Sequence, residues 1–305
     1  MTRSAPFLVL AGGVAVVSTA SILIRYAQAE AASSAAIAAG RLAIAAIVLA
    51  PLAWSRAGAE LTRLSRRDLA LCAVSGVFLA LHFWTWIASL EYTSVASSTA
   101  LVTTNPIWVA LTSAWLLNER PNPRQAAGII LTLAGTALIF AAASAATQAR
   151  PAPLLGNALA LAGALAATGY LLLGRALRSR VGLLAYIWLA YSFAALVLLV
   201  AAFASGENLG SLNARAWFLI LALALGPQLL GHTAFNWALR RLSATFVAIS
   251  ILGEPVGSAL LAWWLLGEHF TALQFGGFTV VLIGIFAAAR GEAANRSAAA
   301  QNQTR

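Results

Sequence analysis

The sequence predicts an all-α membrane protein of ten transmembrane helices, arranged as two inverted repeats of five. Three observations support this class. Of the 305 residues, 61% are hydrophobic and only 9% are charged, apolar windows of spanning length follow one another, and the second half repeats the first. A soluble globular chain averages about 45–50% apolar and about 25% charged residues. The composition therefore excludes a water-soluble fold.

Ten apolar windows approach the length of about 20 residues that a transmembrane helix needs. In chain order they cover residues 6–27, 33–54, 69–90, 95–117, 125–145, 154–177, 183–205, 217–239, 244–266 and 271–289. The sizeable polar stretches are the loop 55–68 and the segment from Arg290 onward. We therefore expect a single membrane domain over residues 1–305. Its first five-helix repeat covers 1–147, its second covers 148–290, and a polar cytoplasmic tail covers 291–305.

The basic residues predict orientation rather than a nucleic-acid partner. All 19 of them are Arg, and the net charge is +10. Basic residues near helix ends stay on the cytoplasmic side, and placing the N-terminus inside puts most of the Arg there. We expect both termini to be cytoplasmic and no nucleic-acid binding. The lone Cys72 excludes an internal disulfide, and three scattered His make no metal cluster of the usual spacing, so no metal or other cofactor is expected.

An internal repeat is the strongest pattern in the chain. Residues 105–119 reappear as residues 254–268, each copy with a Pro at its second position, a Trp-Leu-Leu run and a closing Glu. Further matched pairs are Gly128 with Gly277, Gly135 with Gly284, Ser18 with Thr168 and Arg25 with Arg175. Because each copy holds five helices, an odd number, the second copy enters the membrane from the opposite side. Inverted repeats are typical of secondary transporters, whose substrate site lies near the midplane.

These motifs resemble the drug/metabolite transporter superfamily, in its EamA-type exporter branch. The resemblance rests on the ten-helix inverted repeat, on Pro inside helices four and nine, and on the Leu-Leu-x-Glu that closes each. Within that branch the chain is most similar to bacterial aromatic amino acid exporters. The resemblance implies an exporter of the bacterial cell inner membrane with a central cavity formed by both halves. The chain departs from the symmetrical pattern where Asn105 in one copy corresponds to Glu254 in the other.

Polar residues at helical spacing inside the apolar windows are the candidates for a transport pathway. Polar groups within a membrane are costly, and a four-residue spacing places them on one helix face. The candidates are Arg41, His82, Trp86, Asn105, Trp108, Thr168, Gln228, His232, Asn236 and Glu254. The alternative is that they hydrogen-bond neighbouring helices, an interaction worth about 0.6 kcal/mol on average. Stripes of this kind lie on the third, fourth, eighth and ninth windows, the clearest being Gln228, His232 and Asn236 on the eighth. Four aligned stripes in an inverted repeat favour the pathway.

The two charged candidates each have two interpretations. Glu254, the carboxylate in mid-window, suits a proton carrier, or it is a protonated, hydrogen-bonded group or the partner of Arg41. Arg41 either snorkels outward along its long side chain or binds a substrate carboxylate through a bidentate pair. Arg25 and Arg175 are expected to be interfacial anchors, and Trp54, Trp115, Trp217 and Trp264 belt residues.

The sequence thus predicts a secondary transporter that exports small amphiphilic metabolites, most of all aromatic or large apolar amino acids, by alternating access. The alternatives are a passive facilitator, or a multidrug or nucleoside exporter of the same fold. An intramembrane enzyme is disfavoured, because the sole Asp68 lies in a loop and no Gly-x-Ser-x-Gly or Walker motif occurs. The expected partners are the lipid bilayer and a small-molecule substrate, and the sequence leaves the oligomeric state open.

Overall fold

The fold comes from a computed structural model that describes residues 5–92, 98, 101–144, 152–266 and 271–303. Within these residues the secondary structure is helical throughout. In chain order the helices are α1 (Ala5–Val17), α2 (Ala20–Ala29), α3 (Ser34–Leu61), α4 (Arg66–Tyr92), α5 (Asn105–Leu116), α6 (Pro123–Ser144), α7 (Pro153–Leu177), α8 (Leu183–Ala204), α9 (Ala214–Leu223), α10 (Thr233–Ala238), α11 (Ala244–Ile251), α12 (Glu254–Leu266) and α13 (Ala272–Gln303), with a π-helical segment (Ala224–His232) between α9 and α10 and a short 3-10 turn at Leu209–Ser211.

Seven segments of the described chain are long and apolar enough to cross a membrane, and Ala244–Ser258 is a shorter apolar helix. The protein is therefore an all-helical, multi-pass membrane protein. Each of the seven coincides with a predicted window. The fourth, fifth and ninth windows correspond to α5, α6 and the pair α11 and α12, and parts of the fourth and the last residue of the fifth lie outside the described residues. A total of ten spanning helices stays a prediction.

Two of the predicted helices are interrupted. In the first window, α1 ends at Val17 and α2 begins at Ala20. The hydroxyls of Ser18 and Thr19 donate back to the carbonyls of Val14 and Val16, at 2.8 and 2.7 Å. Such back-bonding bends helices. In the ninth window, Leu252 and Gly253 form the turn between α11 and α12.

The eighth window is irregular around Pro227. Pro227 lies inside the π-helical segment, and a proline ring removes one backbone donor and clashes with the preceding turn. The chain accommodates it by widening that turn, and π-bulges of this kind are frequent at functional sites.

Glycines hold α6 and α13 in close contact. A Cβ added at Gly128 would lie 2.8 Å from the carbonyl oxygen of Gly284, and one added at Gly135 would lie 2.7 Å from that of Gly277. Only glycine permits this approach, which lets the two backbones touch. Gly128 therefore contacts Gly284, the repeat counterpart of Gly135. In the same way Gly135 contacts Gly277, the repeat counterpart of Gly128. Elsewhere α4 packs on α7, α3 on α8, and α1 on the π-helical segment and α10.

The last helix continues into the segment that we expected to be a polar tail. α13 extends to Gln303, and Glu292 within it is only 4% exposed. At least the start of this segment therefore packs against the helix bundle.

Candidate functional site

A cavity of about 240 Å³ lies among helices of both sequence repeats. Its walls come mainly from α2, α3, α4 and α7, from the end of the π-helical segment and from the start of α12. The predicted pathway residues that line it are Arg41, His82, Trp86, Asn105, His232 and Glu254. The cavity thus gathers six of the ten candidates from five different segments of the chain.

Arg41 projects from α3 and is only 1% exposed. Its guanidinium carbon lies 4.1 Å from the centroid of the Phe83 ring, which is a cation–π distance. None of its three nitrogens has a hydrogen-bond partner among the described residues. A snorkelling Arg would place these nitrogens in water or headgroups, so the structure contradicts that interpretation. Because an uncompensated buried charge is costly, the position favours a role in binding.

Glu254 is the first residue of α12, and its half-buried side chain lines the cavity. It lies near enough to Arg41 for the two charges to attract, yet no hydrogen bond joins them. Its backbone carbonyl accepts a hydrogen bond from Ser18 Oγ at 3.3 Å, and Ser258 Oγ donates to the Ser18 carbonyl at 2.9 Å. These bonds join the break between α1 and α2 to the beginning of α12.

One wall of the cavity is aromatic and belongs to α4. The rings of His82 and Trp86, one helical turn apart, are nearly parallel, with centroids 6.0 Å apart and an interplanar angle of 10°. His82 Nδ1 lies 3.0 Å from the carbonyl oxygen of Gly163. Since a carbonyl only accepts, this bond requires the proton on Nδ1. The indole Nε1 of Trp86 is buried without a partner in the described structure.

Further rings extend the aromatic wall from the other repeat. His232 packs edge-on against Phe83 at 5.3 Å and against Phe235 at 5.5 Å. Tyr170 of α7 also lines the cavity. Phe83, Phe235, Tyr170 and Ser21 also line the cavity but are not among the residues that the sequence predicts. Aromatic residues give no distinguishing signal inside apolar windows, and only the hydroxyls of Tyr170 and Ser21 could have marked these positions.

The other four candidates lie outside the cavity lining. Trp108 Nε1 donates to Thr104 Oγ1 at 3.1 Å, and Thr168 Oγ1 donates to the Ala164 carbonyl of its own helix at 2.9 Å. These two side chains are satisfied locally and are not presented to a ligand.

The predicted stripe on the eighth window is divided. His232 reaches the cavity, whereas Gln228 and Asn236 are fully buried away from it. Asn236 Nδ2 donates to the Tyr170 hydroxyl at 2.5 Å and to the His232 carbonyl at 2.9 Å. The wider π turn changes which residues share a face, so a four-residue spacing alone does not place these side chains together.

A second polar cluster, which we call the polar seam, joins the two repeats at the end of the bundle where α6 and α11 begin. It comprises Glu119, Asn122, Gln125, Arg175, Ser243 and Glu292. Glu119 Oε1 accepts from Arg175 Nε at 2.7 Å, and Arg175 also donates to the Leu239 carbonyl at 2.6 Å. Arg175 is therefore held in an ion pair rather than serving as the interfacial anchor that the sequence predicted.

Glu292 is the centre of the other part of the polar seam. One carboxylate oxygen accepts from the Ser243 backbone N–H at 2.7 Å. The other accepts from Ser243 Oγ at 2.7 Å and from Gln125 Nε2 at 2.8 Å. Asn122 Nδ2 donates to the Gly291 carbonyl at 2.8 Å. The seam thus consists of bonded groups that connect α6 with α11 and α13.

Comparison with known proteins agrees with the fold. The sequence profile of the EamA-like transporter family matches residues 4–141 and, a second time, residues 154–290. A protein from Archaeoglobus fulgidus, described as an uncharacterized transporter, is 24% identical over 245 residues, which are 79% of this chain and 82% of the relative. The uncharacterized transporter YetK of Bacillus subtilis is 24% identical over 303 residues, covering 93% of this chain and 91% of YetK.

A solved crystal structure also superimposes on this chain with a TM-score of 0.76 at 20% sequence identity. The superposition covers 94% of this chain and 97% of the other. At this identity the similarity shows a shared fold.

Proposed function

The chain belongs to the EamA-like transporter family, and from that premise we propose that it exports aromatic or other large apolar amino acids. A transporter of this family carries a small molecule across the lipid bilayer and is not an enzyme. The proposed cycle is alternating access, in which the cavity opens to one side of the membrane at a time.

The aromatic wall of the cavity is the observation that carries the substrate proposal. Phe83, Trp86, Tyr170 and Phe235 surround a space of about 240 Å³. Aromatic side chains prefer to stack on other rings or to meet them edge to face. Ligand pockets for drug-sized molecules are commonly about 300–1,000 Å³, so this smaller space suits one ring with a short polar end.

The packing of the two halves supports the proposal of inverted repeats. The family profile matches the chain twice, in ranges close to the predicted repeats. In addition, Gly128 contacts Gly284 while Gly135 contacts Gly277. Two copies related by a two-fold axis make reciprocal contacts of this form, and a two-fold axis in the membrane plane relates inverted repeats.

The proposed location is a bacterial inner membrane with both termini in the cytoplasm, which the distribution of Arg supports. Single cysteines introduced at the exposed Ser65 and Ser205 test it, with native Cys72, which is buried, replaced by Ser. An impermeant thiol reagent added to intact cells should label position 205 and leave position 65 unlabelled until the membrane is opened. Labelling of position 65 from outside would overturn the orientation.

Counterflow in proteoliposomes tests the function itself. Unlabelled tryptophan inside the vesicles should accelerate entry of labelled phenylalanine, and the rate should saturate, because both share one alternating site. Trp86→Ala should weaken phenylalanine transport, whereas Trp115→Ala, at a position 84% exposed, should not. Transport without counterflow would favour a passive facilitator of the channel type, which has no alternating closure. Transport of nucleosides or drugs in place of amino acids would favour the other exporters.

A further inference from the structure

The cavity holds two opposite charges, and the described structure gives neither a direct partner. We infer that Arg41 and Glu254 together form a clamp for a zwitterion, in which Arg41 binds the α-carboxylate and Glu254 binds the α-ammonium of the substrate. This inference rests on the proposed function and assigns each charged end of the substrate to one residue. It makes the site selective for molecules that carry the ammonium and the carboxylate on the same carbon atom.

The substrate carboxylate is assigned to Arg41 because the guanidinium of Arg41 donates no hydrogen bond to any described residue. A guanidinium offers five N–H donors in a fixed fork that matches a carboxylate bidentately. The Phe83 ring at 4.1 Å interacts with the charge but accepts none of these donors in the plane of the fork. Among the described residues, none offers a hydrogen-bond acceptor to any of the three nitrogens.

The ammonium belongs at Glu254 because an ionised carboxylate is a pure acceptor. The side chain faces the same cavity as Arg41, and no hydrogen bond between the two closes the space. A zwitterion entering between them supplies an anion to one and a cation to the other. The net charge of the occupied cavity is then the same as that of the empty cavity.

The aromatic wall completes the recognition of an α-amino acid. Trp86 lines the same cavity as Arg41, and its indole N–H has no hydrogen-bond partner among the described residues. With the backbone-like end of the substrate held by the two charges, its side chain meets the rings of Phe83 and Trp86. Sites built to bind a polar group reject analogues that lack it, because the buried partner is left unpaired.

Competition by phenylalanine analogues tests the clamp on the full chain in proteoliposomes. Phenethylamine lacks the carboxylate, and 3-phenylpropionate lacks the ammonium, while both keep the ring. Each should inhibit uptake of labelled phenylalanine at least about 10-fold less well than unlabelled phenylalanine does. If either analogue competes as well as phenylalanine does, the clamp is wrong and amino acid transport stands. If no aromatic amino acid is transported or bound at all, the proposed function itself fails.

Two variants separate the roles of the charges through ligand-induced thermal shifts of the purified protein, a readout that does not require transport. Arg41→Gln should lose the preference for phenylalanine over phenethylamine and keep the preference over 3-phenylpropionate. Glu254→Gln should show the opposite pattern. Arg56→Gln, an exposed position on the same helix α3, is the matched control and should keep both preferences.

Equal loss of both preferences in both variants would contradict the assignment of ends. If Arg41→Gln does not fold, Arg41→Lys keeps the charge without the bidentate fork. It should fold and bind phenylalanine more weakly while still rejecting 3-phenylpropionate. Unchanged binding by Arg41→Lys would overturn the bidentate contact.

Discussion

The polar seam and the cavity both place charged groups inside the helix bundle, but they differ in how those groups are satisfied. In the seam, Glu292 accepts three hydrogen bonds and Glu119 pairs with Arg175. In the cavity, the Arg41 guanidinium and the Trp86 indole N–H have no partner among the described residues. Burial does not account for this difference at the two most buried charges, since Glu292 is 4% exposed and Arg41 is 1% exposed.

This difference separates polar groups that stabilise the fold from the polar groups of the proposed binding site. A buried polar group that is fully hydrogen-bonded rigidifies the structure, whereas one left unpaired costs stability. The seam therefore holds the two repeats together at one end of the bundle. The cavity keeps a free energy cost, which the proposed substrate would relieve on binding. Variants in the two regions should change stability in opposite directions.

The largest effect is expected in the seam. Glu292→Ala leaves the donors of Ser243 and Gln125 buried without an acceptor. It should lower the free energy of unfolding by about 3 kcal/mol, since hydrogen bonds to charged groups are worth about 1.5–3 kcal/mol each. Thermal unfolding in detergent measures this, with Glu91→Ala, at an exposed position, as the control. Equal melting temperatures for the two variants would remove the distinction between seam and surface.

A smaller effect of opposite sign is expected at Arg41. Arg41→Met replaces an uncompensated buried charge by an apolar chain of similar length. It should leave the stability of the empty protein unchanged or raise it by about 1–2 kcal/mol, because burying a charged group without a hydrogen-bond partner is costly. Transport of phenylalanine should be lost. A melting temperature well below that of Arg56→Met would mean that Arg41 stabilises the fold, as the seam residues do.

The smallest effect is expected at Thr168, a predicted pathway residue whose hydroxyl bonds within its own helix. Thr168→Val keeps the shape and removes one local bond, so stability should change by no more than about 0.5 kcal/mol and the transport rate should stay near that of the native protein. Tyr170→Phe, two positions along the same helix and in the cavity wall, is the matched comparison. A larger loss of transport in Thr168→Val than in Tyr170→Phe would show that the cavity lining is incomplete.

Sequence patterns predict the regular helices far better than their interruptions. The windows that became α3 and α8 are long and apolar, and the structure begins those helices within a residue or two of the predicted starts. The break at Ser18 and Thr19 gave no signal, because Ser and Thr also occur in continuous helices. By contrast, Pro227 and the Gly-Glu-Pro run at Glu254 carry backbone constraints that are visible in the sequence, and both mark real irregularities.

Cavity residues can be predicted from the sequence where a charged or polar side chain interrupts an apolar window. They cannot be predicted where the side chain resembles its apolar neighbours. Arg41 and Glu254 stand out in apolar windows, but whether Arg41 is buried or snorkels depends on neighbours such as Phe83, which only the folded chain brings near. Trp108 and Gln228 matched the spacing rule and still lie outside the cavity. Spacing reports a helix face, and it does not report what that face packs against.

Arg41 also has a consequence for how the protein is made. An Arg at the centre of a helix costs about 2.5–3.5 kcal/mol when the translocon passes that helix into lipid, while a Leu, Ile or Val returns about 0.3–0.6 kcal/mol. Arg41 is the eighth residue of the 28-residue helix α3, so it adds a cost that the apolar residues of α3 must offset when this helix is inserted. Phe83 on α4 and the face of α8 that packs on α3 are synthesised later. During translation, the Arg41 charge is therefore enclosed only after α4 and α8 have been made and inserted.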